Sequence, residues 1–261
     1  QDISTQKLHF IVSDNGVYNV ANEIEFSTTL PYGQWNHVCV QYDGDYSYTY
    51  LNGRLDNSKD VANSLYQASQ EFSIGCIYAS DSCLANSYFD GGIEELKVYN
   101  RVLTNTEILQ DYNKFLESKF VASGDSIISD DTLAARGWNT IKVNKDTYYD
   151  FGSQLDENGF ALTSDHDLFD SDLMGLWHLN GDVTDSSGNG NDGTLGGSTS
   201  YTTGLWETNA TTVNGSTDYI NFGNASETEV SGDVTISTWV NADTMPTAWK
   251  IIAGRAEASN E

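Results

Sequence analysis

The chain has 261 residues, of which 38% are hydrophobic and 12% aromatic, so it is long enough to bury a substantial core and is not of the disordered class. Its 38 acidic and 12 basic residues give a formal net charge of −26, which makes nucleic acid and anionic membrane surfaces poor partners. No apolar run approaches the roughly 18 residues of a membrane-spanning helix, so no membrane span is expected.

The first part of the chain has the pattern of short strands joined by tight turns. Residues 34–42 are fairly apolar on both alternating faces, which indicates an interior strand of a sandwich. Residues 46–51 form the next strand, and Asn52-Gly53 follows as a two-residue hairpin turn. Three tyrosines of this strand share a face: Tyr46, Tyr48 and Tyr50.

A longer strand and one short helix close this region. In residues 89–99, Leu96 and Val98 share a face, and the parity of Glu94 places its carboxylate inward or at the rim of the sandwich. Thr104 and Glu107 form a capping box, which predicts that a helix begins just after residue 104.

The last third of the chain reads as the opening of a domain. A short apolar strand runs from residue 173 to residue 179, and a turn rich in Asp, Asn, Ser and Gly follows it. Further strands are predicted at residues 218–222, 234–240 and 250–253. Between the two regions, residues 116–171 contain a predicted hairpin within 138–151 and the acidic run 165–172. This stretch is too long for a simple loop.

Several of these motifs resemble those of the laminin G-like domains, which are concanavalin A-like jelly rolls. Members of that family open with a Trp-containing strand and D-x-S-G-N-x-x-x-G, carry W-x-H-V before a Y-x-N-G hairpin, and close with F-D-G-x-I-D-E and N-R-x-L-x-x-x-E-I. The corresponding residues here are Trp177, 185–193, 35–38, 50–53, 89–95 and 100–108, with Glu94 at the usual Asp position.

The resemblance implies an all-β concanavalin A-like jelly-roll β-sandwich with one short helix, in permuted order. Residues 172–261 correspond to the first half of such a domain and residues 1–115 to the second half, while residues 116–171 are an inserted linker or small β segment of unknown fold. Either the halves fold together within one chain, or 172–261 of one copy pairs with 1–115 of the next. The ends within a domain and the missing initiator Met favour one repeat of a longer protein.

The acidic turn suggests a metal site because Ca²⁺ takes six to eight oxygen ligands. The resemblance implies a structural Ca²⁺ near this turn and the closing strand. The expected ligands are Asp185 and Asn189, with Asp90 and Glu94 from the other half and with Asp182 and Asp192 nearby. The alternative is an ordinary Asx-rich turn capped by its own side chains.

Cysteines and sequons favour an extracellular or cell-surface location. Cys76 and Cys83 flank a turn-like segment and could form a local disulfide, while Cys39 lies in an apolar strand and is expected to be a buried thiol. Three sequons suggest a glycosylated surface, although such a Ser- and Thr-rich composition also produces sequons by chance. They lie at Asn209, Asn214 and Asn224.

Catalytic motifs are absent from the sequence. The paired acids of concanavalin A-like glucanases, E-x-D-x-x-E, do not occur, and the G-x-G-x-x-G match at 188–193 lacks a βαβ unit. The sequence therefore predicts a non-catalytic extracellular structural protein. It would be a repeat or subunit of a surface filament or adhesin whose jelly-roll halves complement each other, with neighbouring copies as partners. The alternative is a lectin-like adhesion module that binds glycans or surface proteins.

Overall fold

The computed structural model describes residues 7–12, 20–61, 65, 71–76, 78–79, 82–83, 87–118, 171–205, 209–223, 232–243 and 251–254. The chain divides into two compact units, one formed by Gln1–Lys114 with Asp172–Glu261 and the other by Phe115–Ser171. The hairpin predicted within 138–151 and the acidic run up to residue 170 lie outside the described residues.

The first unit consists mainly of antiparallel strands with one α-helix. In chain order the strands are β1 (His9–Ile11), β2 (Glu23–Glu25), β3 (Asn36–Tyr42), β4 (Tyr46–Leu51), β5 (Arg54–Asp60), β6 (Ser73–Ile74), β7 (Tyr78–Ala79), β8 (Ser82–Cys83), β9 (Asp90–Tyr99), β10 (Leu173–Trp177), β11 (Thr194–Gly196), β12 (Ser200–Thr203), β13 (Asn209–Asn214), β14 (Tyr219–Asn221), β15 (Val234–Ala242) and β16 (Ala253–Gly254). The helix α1 spans Asn105–Ser118, and a 3-10 turn covers Val20–Asn22. No helix in these ranges is long and apolar enough to cross a membrane.

Two sheets pack face to face as a β-sandwich. The large sheet has the order β12-β13-β9-β15-β3-β4-β5, with β10 also paired to β9, and the small sheet has the order β11-β14-β6-β16. Two short hairpins, β1-β2 and β7-β8, accompany them. The all-β sandwich with one helix that the sequence predicts is confirmed.

The core lies between the two sheets and is centred on aromatic rings. The ring of Trp177 lies 4.3 Å from that of Phe222 and 6.3 Å from that of Phe72, measured between centroids. A Cβ atom on Gly175 would lie 2.1 Å from the Trp177 ring, so only glycine fits at that position. Burying each of these rings contributes roughly 2–3 kcal/mol. Aliphatic side chains from both sheets complete the core, among them Val38, Ile74, Ile93, Leu96, Val98, Val213, Ile220 and Val240.

The two central strands of the large sheet come from opposite ends of the chain. On one side β9 pairs with β15, and on the other it pairs with β10 at its C-terminal half and with β13 at its N-terminal half. In turn β15 lies between β9 and β3. Residues 1–115 and 172–261 therefore interleave in one sheet, and in this structure they do so within one chain.

A β-bulge in β9 overturns the expected direction of Glu94. The register against β15 shifts between Ser237 and Trp239, and Glu95 adopts a left-handed φ of 54°. The extra residue resets the alternation, so Ile93 and Leu96 both enter the core. Glu94, next to Ile93, faces away from the core, and the prediction from simple parity was wrong.

The predicted capping box is present at the start of α1. The backbone N–H of Glu107 donates to Thr104 Oγ1 at 3.3 Å, and the N–H of Thr104 donates to Glu107 Oε2 at 2.6 Å. Burial alone would raise the pKa of Glu107, but hydrogen bonds from Arg101 and Thr104 outweigh it and lower that pKa. Leu103 and Ile108 are both buried beside the cap.

We predict that the Glu107→Gln variant loses stability in a pH-dependent way. A lowered pKa in the folded state stabilises the protein above the unfolded-state value of about 4.3, and that stabilisation disappears as pH falls through the folded-state pKa. Urea unfolding should therefore show a larger deficit at pH 7 than at pH 3. Thr104→Ala, which removes a cap without a titrating group, should cost about 1 kcal/mol with less pH dependence. An equal deficit of Glu107→Gln at both pH values would contradict this.

Candidate functional site

The acidic turn after β10 is organised by the buried carboxylate of Asp185. Its Oδ1 accepts backbone N–H groups from Leu176 at 3.1 Å and Ser187 at 2.9 Å. Its Oδ2 accepts the N–H of Asn191 at 2.9 Å. Both oxygens therefore face amide hydrogens of the turn itself, in the way that Asx turns use their side chains.

The other polar residues of this turn also bind the backbone. Asp192 Oδ1 accepts the N–H of Asp185 at 2.8 Å, and Asp182 Oδ1 accepts the N–H of Thr184 at 3.0 Å. The amide nitrogen of Asn189 donates to the carbonyls of Leu173 and Met174, at 2.9 and 3.1 Å. The turn is thus folded back on β10 by its own side chains.

The two predicted ligands from the other half of the chain lie on β9. Asp90 is half-buried at the start of that strand, opposite Asn214 of β13. Glu94 is only 1% exposed, and its Oε2 accepts the backbone N–H of Leu205 at 2.8 Å. Asp90 and Glu94 thus lie on a strand that pairs with β13. Asp185, in contrast, binds the backbone of the turn that follows β10.

Five of the six predicted calcium ligands bind protein backbone groups through their side chains: Asp182, Asp185, Asn189, Asp192 and Glu94. Among the described residues, no three Asp, Glu, His or Cys side chains gather in a way that could hold a metal ion. The oxygens of Asp185 that would coordinate a cation already accept three N–H donors. The N–H groups that donate to Asp185 are those expected of an Asx-rich turn, and calcium binding stays a prediction.

A junction that the sequence did not predict lies where β9 changes neighbours from β13 to β10. Glu95 donates its N–H to the carbonyl of His178 at 3.2 Å, and the Glu95 carboxylate contacts His178 Nδ1 at 2.6 Å. Thr211 Oγ1 of β13 donates to the carbonyl of Leu179 at 3.1 Å. Glu95 and Leu179 both have positive φ without being glycine, at 54° and 58°. The strain of these two residues is offset by the buried polar contacts that join the three strands.

A second unpredicted cluster lies under α1, on the outer face of the large sheet. Asp111 of the helix accepts a charged hydrogen bond from Lys97 of β9 and a 2.7 Å hydrogen bond from Ser237 Oγ of β15. His37 Nε2 of β3 lies 2.9 Å from Ser237 Oγ and 3.2 Å from Asp111 Oδ2. The cluster therefore ties the helix to three strands.

The Ser, His and Asp of this cluster do not form a hydrolytic triad. In such a triad the serine and the carboxylate contact opposite nitrogens of the imidazole, whereas here both contact Nε2. Ser237 is 1% exposed, so no substrate reaches its hydroxyl. The neighbouring Cys39 is also buried, and burial together with the charge of Asp111 raises the pKa of its thiol well above the usual value. The cluster is a structural one.

The three tyrosines on the outer face of β4 differ in exposure. Tyr50 is buried and its hydroxyl donates to Asn105 of α1, whereas Tyr46 is 42% exposed. The Tyr46 and Tyr48 rings lie 6.1 Å apart. Burial and a hydrogen bond to Asp43 raise the pKa of Tyr48 to about 12. The exposed Tyr46 and the half-buried Tyr48 offer an aromatic surface beside a carboxylate.

The cysteine and sequon residues occupy defined positions. Cys76 and Cys83 are joined by a disulfide, and Cys39 is a buried thiol. Asn209 and Asn214 are exposed at the two ends of β13. Asn214 Oδ1 also accepts the N–H groups of Ser216, Thr217 and Asp218, so it shapes the following turn. The third sequon, Asn224, lies outside the described residues.

We predict that Asp185→Asn destabilises the chain by about 1.5–3 kcal/mol, because a charged acceptor of three N–H groups becomes a neutral amide with fewer acceptor sites. Urea unfolding of both proteins should be measured with Ca²⁺ and with chelator. A purely structural Asp185 gives the same deficit in both. A deficit that disappears in chelator would show instead that Asp185 holds Ca²⁺.

For Asp111→Asn we predict a loss of about 3–5 kcal/mol, because the buried Lys97 ammonium loses its counter-charge. The control is Asp111→Leu combined with Lys97→Met, which removes both charges at similar volume and should recover most of the loss. The free energies of unfolding of the wild type, the single variant and the double variant should be measured by urea titration. A loss below about 1 kcal/mol in the single variant would contradict a buried ionic cluster.

Comparison with known proteins finds a similarity in the first part of the chain. Residues 3–109 match a laminin G family model whose description is Concanavalin A-like lectin/glucanases superfamily. No curated protein and no solved structure matches the chain significantly. A domain of this kind fits a non-catalytic binding module.

Proposed function

We propose, on the premise that residues 3–109 belong to the Concanavalin A-like lectin/glucanases superfamily, that the chain is a non-catalytic structural module of an extracellular filament or adhesin. Its two segments, 1–115 and 172–261, would complement each other to make each sandwich. Neighbouring copies of the same chain are the proposed partners.

The reciprocal position of β9 and β15 carries this proposal. The neighbours of β9 in the large sheet are β15, β10 and β13, all from 172–261. The neighbours of β15 are β9 and β3, both from 1–115. Each segment thus leaves its own central strand with unpaired edges, and each supplies the strands that the other lacks. Unpaired edges of buried strands promote association with another chain.

Exchange between copies requires no contact that is absent within one chain. Ile93 of β9 faces Val240 of β15, both fully buried, and the same pair would form if the two residues belonged to different copies. Head-to-tail exchange of identical elements gives a closed ring or an open filament. The folding of one chain and the assembly of many would therefore use one interface.

The buried acids support a non-catalytic role. Glycoside hydrolysis needs two carboxyl groups on either side of an accessible sugar. Glu94 and Glu95, adjacent on β9, are both buried, and they bind Leu205 N–H and His178 respectively. The disulfide Cys76–Cys83 supports an extracellular location, since disulfides persist in oxidising compartments.

The exposed Tyr46 and the half-buried Tyr48 favour a second candidate, a carbohydrate-binding adhesion module. Rings 6.1 Å apart beside the Asp43 carboxylate offer stacking and hydrogen bonding to a glycan. Glycan-array binding that Tyr46→Ala abolishes would support this candidate. Binding that is unaffected by this substitution would argue against a site at these tyrosines.

A complementation experiment tests the assembly proposal. Ile93→Asp disables the first segment and Val240→Asp disables the second, because each buries an unpaired charge. The two variants are unfolded together, mixed in equal amounts and refolded. Because an exchanged pair contains one sandwich made of two unaltered segments, the mixture should regain up to about half of the native near-UV circular dichroism. Light scattering should show that this signal belongs to particles of two or more chains.

The control mixes the wild type with a chain that carries both substitutions. Every exchanged sandwich in that mixture contains one disabled segment, so the native signal should not exceed that of the wild type refolded alone. If the two single variants, mixed under conditions in which the wild type refolds, regain no native signal, the segments pair only within their own chain and the assembly proposal fails.

A further inference from the structure

An uncharged stretch of the sequence supplies one edge strand of each sheet. From Gly193 to Trp206 the chain contains no Asp, Glu, Lys, Arg or His, although 19% of its residues are charged. This stretch includes β11, which ends the small sheet, and β12, which ends the large sheet. We call residues 194–203, from the start of β11 to the end of β12, the neutral rim.

A tight corner holds the two edge strands on the same side of the molecule. Only residues 197–199 separate β11 from β12. The backbone N–H of Ser198 donates to the buried carboxylate of Asp218 at 2.7 Å, and Thr199 Oγ1 donates to the carbonyl of Gly196 at 2.5 Å. Since this corner is fixed from within, the outer edges of both sheets are held side by side.

The neutral rim is open to solvent and partly apolar. All four residues of β12 are exposed, and within the described part of the chain the strand pairs with β13 alone. Leu195 of β11 is 39% exposed and Tyr201 of β12 is 38% exposed. Among the described residues, the neutral rim thus combines an unpaired strand edge, hydroxyl side chains and two large apolar side chains.

The opposite edge of the large sheet, strand β5, is protected against pairing with strands of other molecules. Strand β5 contains four charged residues, and Lys59 and Asn57 extend from it to the carbonyls of Glu23 and Glu25, each at 2.7 Å. Charged side chains and a covering hairpin are devices that prevent strand pairing between molecules. Strand β12 has no charge, proline or glycine among its four residues.

We propose that the neutral rim is a docking surface for a second copy of this chain, with β12 pairing antiparallel to β12 of that copy. Copies with a net charge of −26 repel each other, so contact is least costly where the surface carries no charge. An antiparallel pair of identical strands satisfies two-fold symmetry, so the same surface serves both partners. This inference rests on the proposed role in assembly and names a second surface for it, separate from the exchange of segments.

Salt dependence follows from the same electrostatics. The proposed contact contains no ion pair. Outside it, the acidic surfaces of the two copies repel each other. Screening by salt should therefore strengthen the association, in contrast to an interface held by salt bridges.

The test is sedimentation velocity of the full chain over a range of concentrations, at low and at high salt. The expected result is a reversible dimer whose dissociation constant falls as salt rises. Tyr201→Glu and Thr202→Glu should each raise that constant at least about tenfold, because they place a charge in the paired edge. The matched control is Ser58→Glu, at an exposed position of the opposite edge strand, which should leave it unchanged. All three variants should keep the wild-type melting temperature.

Single cysteines test the pairing geometry. Residues that face each other in antiparallel strands have Cα atoms about 4.5–5.5 Å apart. In a two-fold antiparallel pair of residues 200–203, Tyr201 of one copy faces Thr202 of the other. A mixture of Tyr201→Cys and Thr202→Cys chains should therefore give a disulfide-linked dimer on mild oxidation, and Ser58→Cys should not. A chain that stays monomeric at every concentration and salt level overturns the proposal. The proposal is also overturned if a dimer forms but the β12 substitutions raise its dissociation constant no more than Ser58→Glu does.

This outcome is separable from that of segment exchange. A rim dimer dissociates on dilution with both sandwiches intact, whereas exchanged segments separate only when a sandwich opens. If the Ile93→Asp and Val240→Asp mixture regains structure while the β12 variants have no effect, only the rim proposal fails. If the mixture stays unfolded while the β12 variants abolish a reversible dimer, only segment exchange fails.

Discussion

The pairing of β9 with β15 is the constraint on which the rest of the first unit depends. These strands lie side by side at the centre of the large sheet although the segments that carry them are separated by residues 116–171. One face of the pair supplies the core through Ile93 and Val240, and the other face supports α1 through Lys97 and Ser237. The core and the helix cluster therefore form only when both segments are present, which makes the fold and any exchange between copies two outcomes of one interaction.

Three buried acids of the first segment serve this union of segments. Glu94 binds Leu205, Glu95 binds His178, and Asp111 joins Ser237, so each of these acids of the first segment contacts the second. Buried polar contacts of this kind specify which strands pair, because a mismatched partner would leave a charge without compensation. In each of these contacts a carboxylate of the first segment binds a group of the second segment.

Local patterns predicted much of the fold, and long-range contacts account for what they missed. The capping box of Thr104 and Glu107 and the interior strand at Asn36–Tyr42 depend on neighbouring residues, so the sequence is sufficient for both. The direction of Glu94 depends on a bulge that forms against β15, far away in the chain, and strict alternation fails there. The turn around Asp185 has the composition of a calcium site and of an Asx turn alike. Only the positions of the amide hydrogens distinguish the two. The cluster of His37, Asp111 and Ser237 unites three distant positions and leaves no sequence motif.

Native-state hydrogen exchange, followed by mass spectrometry on the intact chain, tests most directly whether the two segments form one cooperative unit. If β9 and β15 depend on each other, the amides of residues 90–99 and 234–242 should open with the same free energy, equal to that of global unfolding. Val240→Ala should lower the protection of both strands by the same amount. If β9 stays protected while β15 opens at a clearly lower free energy, or the reverse, one segment holds its structure without the other. That result would contradict the interdependence from which the proposed assembly follows.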